Sequence, residues 1–182
     1  SEEEKAREDI KRLLEDLRRT NKKIHEDIED ILRELKETLK RVNDDDKRIN
    51  DDLDRTLKER NIDEELKKRV DEAHRRNRRK NEELDRRAKR LLEEIRRLVE
   101  ELHRRTERIE REIKRLLDEM SREGRDVEEV LRTVEKIIED VKKEHEDLLK
   151  RVKDIVKKIK EEIEKVLRES EKLAREIKEE LR

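Results

Sequence analysis

The sequence predicts an all-α protein: an up-down-up antiparallel bundle of three very long helices. Three observations lead there. Apolar residues recur at steps of three and four along nearly all 182 residues, the spacing of one face of an α-helix. Charged residues make up 61% and hydrophobic residues 29%, with no Pro, no aromatic residue and a single Gly. Glu, Lys, Arg and Leu in such excess are the composition of long helices and coiled coils. Only two short segments, "RNIDEE" and "SREGRD", interrupt the pattern. A chain this polar invites disorder, but 55 basic residues nearly cancel 56 acidic ones, so self-repulsion is weak.

Helix one is predicted over about 2–60. Its apolar face is Ile10, Leu14, Leu17, Ile24, Ile28, Ile31, Leu35, Leu39, Val42, Ile49 and Leu53. Ser1 and Glu4 have the spacing of a capping box. The helix stops at "RNIDEE", where Asn61 and Ile62 can turn and Asp63 can cap the next helix. Helix two, about 64–121, presents Leu66, Val70, Ala73, Leu84, Ala88, Leu91, Ile95, Leu98, Leu102, Ile109, Ile113, Leu116 and Met120. Gly124 suits the left-handed position after a helix end. Asp126 with Glu129 then opens helix three, about 126–181, whose face is Val130, Val134, Ile137, Val141, Leu148, Val152, Ile155, Ile159, Ile163, Val166 and Ile177. At 1.5 Å per residue each helix is roughly 80–90 Å long. Turns this short force antiparallel neighbours, and the chain reads as one domain, 1–182.

Polar residues interrupt these faces at matched heights. The turns set a rough register: residue i of helix one lies level with about residue 124−i of helix two, and residue j of helix three with about j−123 of helix one. Asp46, Asn77 and Ser170 then share a level near their stripe centres, with Asn50 and His74 on the flank. A second layer gathers Asn21, His25, His103, Thr106 and His145. An unpartnered buried polar group costs a few kcal/mol. A mutually satisfied set can instead fix register and partner choice, as a buried Asn does in a coiled coil. Surface charge follows the same alignment. Residues 44–54 carry six Asp against Lys47 and Arg48. Residues 70–80 carry four Arg and Lys80 against Asp71 and Glu72, at the same height.

Other functions find little support. The chain has no Cys, so thiol chemistry and thiolate metal sites are excluded. No apolar run reaches the ~18 residues of a membrane span, and "SEEEKARED" is unlike a secretory or transit signal, so a soluble chain is expected. His25, His103 and His145 could together offer three nitrogens to Zn²⁺, but without any HExxH pair the residues read better as a hydrogen-bond layer. Asp46, Ser170 and His74 are the residue types of a hydrolase triad, without a nucleophile elbow or a glycine-rich oxyanion loop. The basic stretch "HRRNRRKNEELDRRAKR" lacks aromatic residues and faces acidic neighbours, which favours a solvated face over a nucleic-acid site. The expectation is no enzyme, cofactor, metal, nucleic acid, membrane or small-molecule substrate. No clear internal repeat is visible in the sequence. Adjacent apolar pairs on helix three, among them Val130-Leu131, Ile137-Ile138 and Ile155-Val156, widen its stripe enough to cover a fourth helix.

The near-ideal helices, the minimal loops "RNIDEE" and "SREGRD", the Glu/Lys/Arg surface and the polar layers at Asn21/His103/His145 and Asp46/Asn77/Ser170 carry a resemblance over the whole chain. It resembles computationally designed helical bundles with buried hydrogen-bond networks. That resemblance implies a structural scaffold without natural activity or native location, cytoplasmic only where expressed recombinantly. It also allows a component of a designed heterodimer or homo-oligomer, including pH-responsive ones that use His. The absence of aromatic residues departs from that class.

Overall fold

The computed structural model describes residues 1–181. They form three helices, α1 (Glu2–Lys58), α2 (Glu64–Arg122) and α3 (Val127–Glu180), packed against each other as an up-down-up bundle. Every helix end lies within two residues of its expected place. The caps explain why. The Ser1 hydroxyl accepts from the Glu4 amide at 3.3 Å, and the Asp63 carboxylate accepts from the Leu66 amide at 2.7 Å. Gly124 has φ +68°, the left-handed conformation in which a Cβ is strained. The Arg125 side chain then bridges back to Glu119 at 2.7 Å and forward to Glu129 at 3.7 Å, tying the turn to both helices. Among the described residues no helix is long and apolar enough to cross a membrane.

The chain groups into two compact units, each built from all three helices. The first comprises Ser1–Asp30 and Glu94–Lys153. Its core holds Ile10, Leu17, Ile113, Val130, Val134 and Val141, all essentially inaccessible to solvent. The second comprises Ile31–Glu93 and the residues from Asp154 onward. Leu53, Val70, Ala174 and Ile177 form one of its clusters, with Ile49 and Leu57 packed against it.

The burial pattern corrects the expected stripe in places. On α3, Ile138, Val156 and Leu167 are buried, while their neighbours Ile137 and Val166 are half-buried and Ile155 is 44% exposed. On α1, Leu32 and Thr38 are buried, whereas Ile31 and Leu39 are half-buried. Where two apolar residues are adjacent, the 100° between them allows only one to point at the helix-packing centre.

Contacts also reveal a repeat that the sequence does not show at sight. Lys142, Lys160 and Lys178 of α3 pair with Asp16, Glu34 and Asp52 of α1, and both partners advance by the same interval of eighteen positions. Arg105, Arg87 and Arg69 of α2 pair with Glu144, Glu162 and Glu180 of α3, again at that interval. Buried residues obey it too: Ile138, Val156 and Ala174; Val141, Ile159 and Ile177; Val70, Ala88 and Thr106. The interval is five turns at 3.6 residues per turn, so the same face of the helix recurs without angular drift.

Two outcomes follow for chemical denaturation. Ile113→Ala should cost about 2–5 kcal/mol, while Ile155→Ala should stay within about 0.5 kcal/mol of the parent. Gly124→Ala should cost about 1–2 kcal/mol, because Ala must adopt the left-handed conformation.

Candidate functional site: two polar cross-sections

The first cross-section lies in the first unit and takes one side chain from each helix. The Thr106 hydroxyl donates to the Leu102 carbonyl at 2.9 Å. Its oxygen is then free to accept, and Asn21 Nδ2 donates to it at 3.1 Å. That fixes the amide orientation and turns Asn21 Oδ1 toward His145 Nδ1, with which it is hydrogen-bonded. An amide oxygen can only accept, so the His145 proton sits on Nδ1. The imidazole is 2% exposed and is one of the largest fully buried side chains. Nε2 is therefore a bare acceptor, and it has no hydrogen-bond partner among the described residues.

Burial holds the His145 pKa below the usual histidine value. Glu144 raises it and Arg105 lowers it, but those two are themselves ion-paired at 2.9 Å and partly cancel. Protonation would place a charge and a second N–H in a site with no acceptor for it.

The other two members assigned to this layer, His25 and His103, line the same pocket but stand outside this hydrogen-bond chain. His25 is exposed. His103 is 77% exposed at its side chain and lies 3.2 Å from Glu107 of its own helix. All three histidines line one pocket between α1 and α2. Among the described residues, however, no group of three or more His, Cys, Asp or Glu is placed to hold a metal ion.

The second cross-section, in the second unit, is organised by Asp46. Its carboxylate accepts from Asn77 at 3.0 Å, from Asn81 at 2.9 Å and, more weakly, from Asn50 at 3.5 Å. All four side chains are half-buried rather than enclosed. Ser170 is buried, but its hydroxyl donates to the Val166 carbonyl of its own helix at 3.2 Å and not to Asp46. His74 turns toward Asp54, 3.4 Å from its carboxylate without hydrogen-bond geometry. Asp46 and His74 line one cleft and Ser170 another, so these three do not form a triad. The acidic and basic windows do meet: Asp46, Asp51 and Asp54 share that first cleft with Arg75 and Arg78.

Register accounts for these differences. Asn21 with Thr106, Arg18 with Glu110, and Asp46 with Asn81 pair residues whose numbers sum to 127 or 128. The expected sum is about 124, and Asp46 with Asn77 gives 123, so the contacts run from the expected level to about one turn beyond it. Contacts beyond the expected level bring Thr106 rather than His103 to Asn21 and add Asn81 to Asp46. Sequence reasoning missed Asn81 although a signal existed: it follows Asn77 by four residues and shares its face. Buried Thr38 was also missed, although it continues the step from Leu35 to Val42.

Three measurements check this geometry. A base whose folded pKa is depressed contributes stability that is fully present above its unfolded value. His145 should therefore destabilise the fold as pH falls below about 6.5, an effect that persists in His25→Gln/His103→Gln and disappears in His145→Gln. Asp16 and Asp52, held below the usual carboxylate range by hydrogen bonds from Lys142 and Lys178, act only in a separate window below about pH 4. Asn21→Ala should cost about 1–3 kcal/mol by stranding its partners, whereas Ser170→Ala should cost under about 1 kcal/mol. Comparison with known proteins finds no matching family model, no matching curated protein and no matching solved structure.

Proposed function

We propose that the chain is a structural scaffold of designed origin, without natural biochemical activity, whose helix register is specified by its polar cross-sections. The observation that carries this reading is the hydrogen-bond chain from His145 through Asn21 to Thr106, one residue from each helix. A frame that repeats every five turns offers equivalent aliphatic and ion-pair partners at each repeat, so those rows alone do not distinguish one alignment from the next. Polar side chains break that equivalence. Thr106 occupies the place that Val70 and Ala88 hold elsewhere on α2, and the counterpart of His145 on α3 is Ile163. A displaced alignment would set a polar group against an aliphatic one and leave it unpaired. The near-ideal regularity of the repeat, with both ion-pair rows in step with the buried stripe, supports the designed origin.

A second reading, an interaction module completed by another helix or chain, draws on Ile155 and Leu173, the exposed large hydrophobic residues of α3. Light scattering after size exclusion separates the two: a monomer over a wide concentration range supports the scaffold, and a defined dimer supports the module. The register claim has its own test. The triple variant Asn21→Leu/Thr106→Val/His145→Leu should match or exceed the parent in stability while showing multiple sets of amide resonances. A single native-like set in that variant removes the claim.

A further inference from the structure

Ile155 and Leu173 are the exposed large hydrophobic residues among those described, at 44% and 37%. A single surface leucine needs no explanation. These two stand one eighteen-residue interval apart on α3, within the second unit. They therefore share one helix angle, about 27 Å from each other. Between them Lys158, Glu162, Lys165 and Glu169 continue the steps of three and four. At 100° per residue the six side chains fall within roughly 80°, a single face. All are exposed except Glu162, which is half-buried. The two carboxylates are held from α2, Glu162 by Arg87 at 2.7 Å and Glu169 by Lys80 at 3.3 Å. The two lysines take part in no ion pair among the described residues.

The face runs Ile, Lys, Glu, Lys, Glu, Leu, and its reverse carries the same pattern with every sign exchanged. We propose that it is a docking surface for a second copy of the chain, with the two α3 helices antiparallel about a twofold axis beside Glu164. That axis sets Ile155 on Leu173, Lys158 on Glu169 and Glu162 on Lys165, pairs whose numbers sum to 327 or 328. Each contact occurs twice, as in any isologous interface, and no like charges meet. A parallel pairing would set lysine on lysine and glutamate on glutamate. The occupant is a second copy because the charges complement the reverse of this same face. One apolar contact at each end and a charged middle make a small interface, so association is weak and sensitive to salt. The proposal rests on the second reading above and names the chain that completes the module. It leaves the register claim untouched, since Asn21, Thr106, His145 and Asp46 are not on this face.

Sedimentation velocity on the full chain from about 10 µM to about 1 mM covers the range of a weak, transient interface. The parent should pass from monomer to dimer across it, and added salt should move the transition to higher concentration. Lys158→Glu/Lys165→Glu makes the face acidic throughout, and Glu162→Lys/Glu169→Lys makes it basic throughout. Each variant alone should stay monomeric, and an equimolar mixture of the two should dimerise again. The chain has no Cys, so single cysteines report the alignment. Lys158→Cys mixed with Glu169→Cys should form the mixed disulfide in preference to either symmetric one, whose sulfurs stand about eleven residues, roughly 16 Å, out of level. A parent that stays monomeric throughout overturns the proposal and favours the scaffold over the module. A dimer that survives both swapped faces, a mixture that stays monomeric, or no preference for the mixed disulfide overturns the proposal and leaves the module reading standing. The cysteine arm alters one charge per chain, so it decides the matter where a swapped face unfolds the protein.

Discussion

Five turns of an undistorted α-helix take a whole number of residues, eighteen, and the rest of this structure depends on that coincidence. It lets one apolar stripe and two rows of ion pairs return to the same faces along helices of 57, 59 and 54 residues. A seven-residue rhythm would instead drift by ~20° per heptad on a straight helix and demand supercoiling. Stripe burial is what holds helices this polar together, because helix formation by itself is marginal in water. The ion pairs contribute less. Most of their members are exposed to solvent, which screens the attraction. Their role is in sign: on the α2–α3 edge α2 supplies the cation and α3 the anion at Arg69, Lys80, Arg87 and Arg105. Turning either helix end for end would break that arrangement.

The two polar cross-sections work under different physics. At His145 the imidazole is buried, and the direction of donation is set by an amide oxygen that can only accept. It runs from His145 to Asn21, from Asn21 to Thr106, and from Thr106 to a backbone carbonyl. At Asp46 the groups are half-buried. There the carboxylate keeps part of its hydration while three amides converge on it, and the arrangement tolerates imperfect geometry such as the 3.5 Å contact to Asn50. The first is discriminating and brittle. The second is a looser clamp that still rejects an aliphatic neighbour.

Fold class, helix number and helix ends were legible because they are local. Periodicity, caps and one left-handed glycine determine them within a few residues of chain. Membership of the polar cross-sections was legible only in part. Asn21, His145, Asp46 and Asn77 stood out as breaks in apolar stripes, and each does meet another polar residue. The level of α2 was right for Asp46 with Asn77 and short by up to a turn at Asn21. That difference puts Thr106 rather than His103 against Asn21, and Asn81 joins Asn77 at Asp46. Ser170 shows a different limit. A buried serine can satisfy itself on its own helix, so burial alone did not identify its partner.

The five-turn interval also makes length an adjustable quantity. Removing one interval from each helix at a common level, clear of both cross-sections, would shorten every strut by about 27 Å and rejoin each at an equivalent angle. Lysine would again meet carboxylate on one edge, arginine would meet glutamate on another, and neither turn would need redesign. Excising two or three whole heptads instead would rotate the outer portions by tens of degrees and set charge where methyl groups belong. The molecule is in this sense graduated, and its graduations are five turns wide.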